Sequence, residues 1–595
     1  MKIQKFFLEL RRRHVLKSII AYLAISWVVI QIASIVLPAF NSPDYSIKVL
    51  IIILSIGLIF WTGFSWVYDL TPSGFQKTED ILEEEETKRI TNRRLNQVIV
   101  GALFIAVLLL ISISFWAGSR WQGGKMEETS YRVAVLPFKV DNQETEDIAH
   151  LKTGLTEGLI TELSKVDALT VLGLASTELL NSDISPANIL ILTEIKRIDY
   201  FIHGDIVQNS DNINVQVSLK KALGETPIWQ KNYTKDLSEV RSLLASIASD
   251  LALEMGITVK PEDAILWSGL RPVKPETYGL YLKGQHLLNQ ATPNDWRRGL
   301  VYLEEAIDRS PADTYAWSGL AEGYINLGHG PAPVVDVYEK ALEAAKRAIE
   351  LDSLNAEGWA SLAHYHTYFG WDWELAQFAF DQADELNPNM AYNHFHRSWY
   401  LILFGDMNEA IIAHQRAQDL DPFTPIHTIG LAEIYRFVGD YDKALEEIEK
   451  VDQMNDQGAL GMAVKGLILF DMGQEEEGLE VLKTAAEINA GWRYWAYGPT
   501  LARFGRYEEA QKIAHELKNA PKTAFGSLSL GLIYSEMGEV EKAVESFRFE
   551  HKHGWYPWIG IYVNNQKVKE DPRFIELFKE MKLTYPLPLI YDPDA

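Results

Sequence analysis

Small and apolar residues recur through the second half of the chain at an interval of about 34 positions. One series of glycines, separated by 34, 34, 32 and 33 positions, consists of Gly405, Gly439, Gly473, Gly505 and Gly538. Two parallel series are Ala376, Ala410, Ala444, Gly478, Ala510 and Ala543, and Ala383, Ala417, Val451 and Ala485. A fixed period near 34 predicts stacked helix–turn–helix units, each of which buries its apolar face only against its neighbours.

These series predict an array of about eight repeats at residues 275–570 and a C-terminal cap at 571–595. The repeats are predicted to begin near residues 278, 314, 356, 391, 425, 459, 491 and 524. Positions such as Trp359, Phe380 and Pro388 match the pattern W-x2-L-G-x2-Y…A-x3-F…P. On these residues the array resembles the tetratricopeptide-repeat family, which implies an all-α superhelix (a solenoid) that binds protein or peptide partners.

The first helix of each repeat in that family lines a concave groove. Aromatic and charged residues at the corresponding positions predict a groove suited to an extended or helical peptide. The candidate partner-binding residues are His364, Tyr392, Phe395, Trp399, Glu433, Arg436, Trp492 and Trp495. The alternative interpretation is that several of these side chains pack within the array instead.

Three apolar runs precede the array, at residues 18–40, 49–67 and 98–117. Each has about 20 residues, which is enough for a helix to cross a bilayer. We therefore predict three transmembrane helices: two within 18–69 and the third at 98–117. Basic residues are concentrated in the N-terminus (1–17) and the loop 70–97, so both are expected in the cytoplasm. The protein would then lie in a bacterial inner membrane, with its large C-terminal part in the periplasm.

The stretches ELRRRHVLKSIIAYLAISWVVIQIASIVLPAF and WVYDLTPSGFQKTED resemble the membrane region of a family of bacterial multidomain tetratricopeptide proteins. The members of that family are mostly uncharacterised. The resemblance therefore implies an architecture, a membrane anchor followed by soluble domains, and no particular activity.

Residues 131–258 have short apolar runs and one hairpin pattern, which predict a small α/β domain. The stretches RVAVLPF, GLTEGLITEL and DYFIHGDI, with the W-x-x-x-Y of residues 229–233, resemble the N-terminal domain of the TolB family and a related flagellar outer-membrane assembly domain. That resemblance implies a module for protein contacts. The predicted fold class is thus multidomain: three transmembrane helices, a small α/β domain and a helical superhelix.

The composition excludes several classes of partner and of chemistry. The net charge of −25 argues against a nucleic-acid partner, and the absence of cysteine excludes disulfides and thiolate chemistry. No motif indicates catalytic residues, a cofactor or a metal site, so we expect no enzyme. The pattern favours a membrane-anchored periplasmic scaffold or adaptor that binds proteins through its repeats. The alternative is a transmembrane signalling or regulatory protein acting through a cytoplasmic partner. The oligomeric state is left open.

Overall fold

The computed structural model describes residues 131–140, 146–178, 198–209, 212–222, 224, 226–257, 274–289, 292–329, 337–454, 458–520, 524–548 and 556–592, with isolated positions between 22 and 77. The chain divides into two compact units, Met1–Glu128 and Thr129–Ala595. In the first unit, strands β1 (Tyr68–Thr71) and β2 (Gly74–Lys77) form an antiparallel hairpin within the stretch that follows the second predicted membrane span.

The membrane part of the predicted fold class requires correction. Among the described residues, no helix has the length and apolar character needed to cross a bilayer. A crossing needs about 20 consecutive apolar helical residues, and only isolated positions within 18–67 are described. The predicted third span, 98–117, lies outside the described residues, as do most of 18–40 and 49–67. The described fold is mostly helical, with a small sheet and a helical repeat array.

The small domain contains a six-stranded mixed sheet with two long helices. Strands β3 (Tyr131–Val135), β5 (Leu169–Val171) and β6 (Tyr200–Asn209) are parallel, whereas β6, β7 (Asn212–Lys221) and β8 (Trp229–Asp236) are antiparallel, in the order β5-β3-β6-β7-β8. The short strand β4 (Lys139–Val140) pairs with β6. The helices are α1 (Glu146–Ser164), α2 (Leu174–Glu178) and α3 (Val240–Glu254).

Buried and partly exposed residues alternate along β7, and the buried ones contribute to the core of this domain. Ile213, Val215, Val217 and Leu219 all point to the buried face, and they form one apolar cluster with residues of α1 and α3. The hairpin β6–β7 and the edge strand β8 agree with the sequence pattern. The apolar stretch at 189–198, whose sequence favours a helix but leaves a strand open, lies outside the described residues except for Ile198.

The described residues that follow the small domain contain eight helix pairs, which confirms the predicted tetratricopeptide-repeat fold. They are repeat 1, Pro275–Asn289 and Pro293–Arg309; repeat 2, Thr314–His329 and Val337–Leu351; repeat 3, Ala356–Tyr365 and Trp373–Leu386; repeat 4, Ala391–Phe404 and Met407–Leu420; repeat 5, Pro425–Val438 and Tyr441–Gln453; repeat 6, Ala459–Asp471 and Glu475–Ile488; repeat 7, Ala490–Trp492 continued by Gly498–Arg503, and Tyr507–Asn519; and repeat 8, Ala524–Glu536 and Val540–Phe547.

The residues of the 34-position series occupy the places where helices meet. Ala376, Ala410 and Ala444 have no exposed surface. A Cβ atom on Gly478 would lie 2.6 Å from the carbonyl oxygen of Gly466 in the same repeat, so only glycine permits this helix crossing. All five turn glycines have the left-handed backbone angles that side chains disfavour, with φ between 76° and 87°.

After repeat 8 the chain folds back over the array. Residues 556–592, which we call the C-terminal segment, contain the short helices Ile559–Tyr562, Gln566–Lys569 and Pro572–Glu580. Phe574, Phe578 and Met581 are fully buried. This packed segment begins well before the predicted cap at 571–595, because residues 556–562 already contact the middle repeats.

The small domain contacts the loops that connect successive repeats. The side chain of Asn389, between repeats 3 and 4, donates to the carbonyl oxygen of Ser164 at 2.9 Å. At the start of the connection from repeat 4 to repeat 5, the amide of Gly173 donates to the carbonyl oxygen of Leu420, the last helical residue of repeat 4, at 3.0 Å. Arg241 of α3 pairs with Asp313, between repeats 1 and 2, at 3.1 Å. One side of the array is therefore tied to the small domain at three loops.

Candidate functional site: the inner surface of the repeats

The inner surface of the array is formed by the first helices of the repeats. Consecutive first helices contact each other, as in repeats 2 and 3 and in repeats 7 and 8. All eight candidate residues predicted from the sequence lie on these first helices or, in repeat 7, on the first helix and the π-helical turn Arg493–Tyr497 that continues it. The structure brings seven of them into two groups and leaves one apart.

The first group is a cluster of aromatic and histidine rings in repeats 3 and 4. The ring of His364 lies 4.8 Å from that of Tyr392 and 4.1 Å from that of His396. The hydroxyl of Tyr368 is 2.8 Å from Nδ1 of His396. The hydroxyl of Tyr392 donates to Oδ1 of Asn326 in repeat 2 at 3.0 Å. His364 is buried, whereas Tyr392 is only half-buried.

Phe395 and Trp399 continue this cluster into the C-terminal segment. Phe395 is 9% exposed and Trp399 is 2% exposed. The indole Nε1 of Trp558 donates to the carbonyl oxygen of Trp399 at 3.1 Å, and the two indole rings meet edge to face at 6.1 Å. The part of the predicted groove around Trp399 is therefore filled by the chain itself.

The second group surrounds Tyr562 of the C-terminal segment. Its hydroxyl donates to Oε1 of Glu433 at 3.2 Å, and its ring lies 5.2 Å from that of Trp495. Arg436 joins Glu433 to Asp471 of repeat 6, with a distance of 2.8 Å from its Nη1 to Oδ2 of Asp471. Burial raises the pKa of the Glu433 carboxyl. Glu433 and Arg436 thus form a partly buried charged network.

Trp492 lies apart from both groups. Its half-buried ring packs against the small cluster of Ala463, Leu482, Ala485 and Ala496. Trp495 is also half-buried and stacks on Phe525 of repeat 8 with ring centroids 5.6 Å apart. Tyr392, Trp492 and Trp495, which are partly buried, are the candidate aromatic contacts for a partner.

Three carboxylates lie near the first group, between the small domain and repeats 2 and 3. Glu157 belongs to α1, and Glu322 and Glu357 belong to the first helices of repeats 2 and 3. Burial and the nearby charges of Glu157 and Glu357 raise the pKa of Glu322 to about 7. Burial also raises the pKa of Glu357. The nearby positive charges of Lys165 and Arg241 oppose this rise at Glu357, so the carboxylates have basic neighbours as well.

Replacement of Glu322 by glutamine should change how stability depends on pH. The folded-state pKa of about 7 exceeds the ordinary value of 4.5, so the folded chain holds this proton more tightly than the unfolded chain does. The resulting stabilisation is complete below pH 4.5 and is lost as the pH rises through 7. Glu322→Gln should therefore stabilise the protein at about pH 8, by on the order of 1–3 kcal/mol, and change little below pH 4.5.

Thermal unfolding midpoints across this pH range measure the effect. The matched control is Glu374→Gln, because Glu374 is exposed on the second helix of repeat 3. An equal stabilisation by both variants at high pH would mean that net charge, and not the surroundings of Glu322, is responsible.

One serine–histidine pair occurs in this region. The hydroxyl of Ser398 lies 2.7 Å from Nδ1 of His414, and both side chains are completely buried. The hydroxyl also donates to the carbonyl oxygen of Phe395. Burial lowers the pKa of His414 to about 3. A substrate cannot reach this serine in the described structure, so the pair has a structural role.

Sequence reasoning missed Trp558 and Tyr562, which occupy the middle of the inner surface. The available signal was the stretch WYPWIGIY, which has four aromatic residues in eight and lies between the last repeat and the closing helix. Sequence reasoning also missed the repeat loops that contact the small domain, because single residues such as Asn389 and Asp313 have no distinguishing pattern.

The small domain is similar to a domain of known proteins. A family model described as the second domain of HilA/YgeH-like transcriptional regulators matches residues 129–249. The resemblance to the TolB family, inferred for the same residues, is not supported by that match.

Three relatives match this chain over 152 to 299 residues. The transcriptional regulator HilA of Salmonella typhimurium is 26% identical over 299 residues, which cover 50% of this chain and 52% of HilA. The putative adenylate cyclase 3 of Rhizobium meliloti is 23% identical over 237 residues, 39% of each chain. The TPR repeat-containing protein MJ1428 of Methanocaldococcus jannaschii is 27% identical over 152 residues, 25% of this chain and 27% of that protein.

The chain thus spans about half the length of HilA and less of the other two relatives. Among solved structures, the TPR protein TTC0263 of Thermus thermophilus is 22% identical, covers 32% of this chain and 99% of its own, and has a TM-score of 0.29. A similarity at that level supports no functional inference.

Proposed function

We propose that the repeat array acts as a scaffold or adaptor that binds a protein segment on its inner surface, and that the chain acts by binding and not by catalysis. The observation that carries this proposal is the set of half-buried aromatic side chains, Tyr392, Trp492 and Trp495, on the first helices. Aromatic rings that are only partly covered contribute strongly to protein interfaces.

Site-specific photo-crosslinking in intact cells tests this proposal. A photoreactive amino acid at Tyr392 or Trp492 should capture one dominant protein. The matched control is the same amino acid at Phe378, which is 51% exposed on the second helix of repeat 3, away from the inner surface. Identical products from the inner and control positions, or no product from the inner positions, would contradict the proposal.

A second candidate is a regulatory role, in which binding to the repeats controls an output. The favouring observation is that the matched relatives are named as a transcriptional regulator and as a putative adenylate cyclase. The same small-domain and repeat region would then be an input module joined to different outputs. A change in the output of a fused reporter domain on partner binding would support this candidate, and binding without such a change would favour the scaffold.

A separate proposal, taken from the sequence expectation, is that the large C-terminal part lies in the periplasm. A compartment-specific reporter fused after Ala595 should be active in the periplasm, and activity only in the cytoplasm would reject it.

A further inference from the structure

The turn of repeat 4 differs from the other four glycine turns. A Cβ atom on Gly405 would lie 1.5 Å from the carbonyl oxygen of Pro588, whereas one on Gly439, Gly473, Gly505 or Gly538 would have no neighbour within 4 Å. All five glycines share the same left-handed backbone. The C-terminal segment therefore covers one turn of the series so closely that no side chain fits between them.

Backbone hydrogen bonds hold the segment at this turn. The amide of Ile590 donates to the carbonyl oxygen of Gly405 at 3.0 Å, and the amide of Met407 donates to the carbonyl oxygen of Ile590 at 3.3 Å. Asp406 and Ile590 form a parallel β-bridge. This is the pattern by which extended peptides bind to exposed backbone in many recognition domains.

Side chains extend the contact to the turn of repeat 5. The hydroxyl of Tyr591 donates to Oδ2 of Asp440 at 3.1 Å and accepts from Nζ of Lys443 at 3.2 Å. The amide of Asp592 donates to Oδ1 of Asn408 at 3.2 Å. Because Asp440 also caps the second helix of repeat 5, its carboxylate is held in place for the tyrosine.

Burial changes abruptly along the segment. Phe578 and Met581 are fully buried and Leu583 is 6% exposed, whereas Leu589 is 39% exposed and Ile590 is 71% exposed. Tyr585 still packs on the core, with its ring 4.4 Å from that of Phe578, whereas Pro588, Leu589 and Ile590 are exposed and bury little apolar surface. Segments that bury little apolar surface open locally without global unfolding.

We propose that Gly405–Asn408, Asp440 and Lys443 form a peptide-binding surface that Pro588–Asp592 of the same chain occupies as a displaceable ligand. The inference deepens the proposed binding function and rests on it for its biological role. The partner it fits is an extended segment with a tyrosine one residue after the backbone-paired position. The tyrosine hydroxyl suits this place because it donates to Asp440 and accepts from Lys443. Since a short linker joins the tail to the core, an external segment must compete against a high local concentration.

Binding of the free tail to the truncated protein tests this inference. The probe is a fluorescent peptide with the sequence LPLIYDPDA, residues 587–595, and the receptor is the full chain truncated after Pro586, which keeps Tyr585 packed on Phe578. Anisotropy should show binding to the truncated chain and at least roughly tenfold weaker binding to the complete chain, whose own tail competes. The Tyr591→Phe peptide should bind roughly tenfold more weakly, because it lacks both hydroxyl hydrogen bonds.

Two glycine variants provide matched controls in the truncated chain. Gly405→Ala and Gly439→Ala introduce the same backbone strain, since both glycines have φ of 80°. Only Gly405→Ala places a methyl group where Pro588 binds, so only this variant should abolish peptide binding. Equal affinities for the two variants, or equal affinities for the truncated and complete chains, would overturn the proposal.

Hydrogen exchange on the complete chain covers the case in which the truncated chain does not fold. Protection of the amides of Met407 and Ile590 should fall in Gly405→Ala and Tyr591→Phe but not in Gly439→Ala. Unchanged protection in the first two variants would reject the site. The photo-crosslinks from Tyr392 do not involve the tail, so the scaffold proposal and the tail-binding surface can fail independently.

Discussion

Replacement of Trp558 by alanine is expected to lower the free energy of unfolding by about 3–5 kcal/mol, the usual cost of truncating a buried tryptophan. Trp558 has no exposed surface, and its ring lies 5.0 Å from that of Tyr368. The variant also leaves the carbonyl oxygen of Trp399 without the indole donor. The residual cavity would lie in the middle of the inner surface, where repeats 3 and 4 meet the C-terminal segment.

Urea unfolding followed by fluorescence measures the stability, and hydrogen exchange identifies the affected region. Protection should decrease mainly across residues 556–583 and on the first helices of repeats 3 and 4. The control is Trp317→Ala, since Trp317 is half-buried and its indole also donates to a carbonyl oxygen, that of Pro311, at 3.0 Å. A loss in Trp558→Ala no larger than in the control would show that the segment contributes little to the array.

Replacement of Arg241 by methionine should destabilise the protein by about 3–5 kcal/mol, because it leaves the buried Asp313 carboxylate without its counter-charge. The side chains of Arg241 and Asp313 are 11% and 3% exposed. The guanidinium carbon also lies 3.8 Å from the centre of the Tyr315 ring. Asp313 has a second role, since its Oδ1 accepts from the amide of Tyr315 at the start of repeat 2.

A double-mutant cycle separates these roles. Asp313→Asn keeps an oxygen for the helix amide but removes the charge, so Arg241→Met combined with Asp313→Asn should recover part of the lost stability. The control is Arg298→Met, which removes an exposed pair with Asp295 and should cost less than about 1 kcal/mol. Strictly additive effects of the two buried substitutions would indicate that the pair is not energetically coupled.

The helical array could be predicted from the sequence because the helices of every repeat pack in the same way and need small residues at the same positions. Observed first helices begin at Thr314, Ala356, Ala391 and Pro425, the positions that the spacing predicts. The turn glycines and the close-packed alanines carry that spacing, since each has a steric reason to be small. The hairpin of the small domain could also be predicted, because the alternation of apolar and polar residues indicates which face of a strand is buried.

The sequence pattern could not predict that the C-terminal segment covers part of the inner surface. Trp558 and Trp399 are 159 positions apart, and no periodicity relates them. A pattern that places Trp399 on a first helix does not reveal which segment covers it. The membrane helices of the predicted fold class rested on three apolar runs, the distribution of basic residues and a family resemblance, and the described residues contain no helix that meets the requirement.

The three ties between the small domain and the repeat loops have a consequence for the mechanics of the molecule. An untethered superhelix behaves like a spring, and its modules can be added or removed with little penalty. Here Asp313, Asn389 and Leu420 all bond to the same small domain. Elastic stretching between repeats 1 and 5 is therefore suppressed, and insertion of an extra module in that span would pull these anchor points out of register.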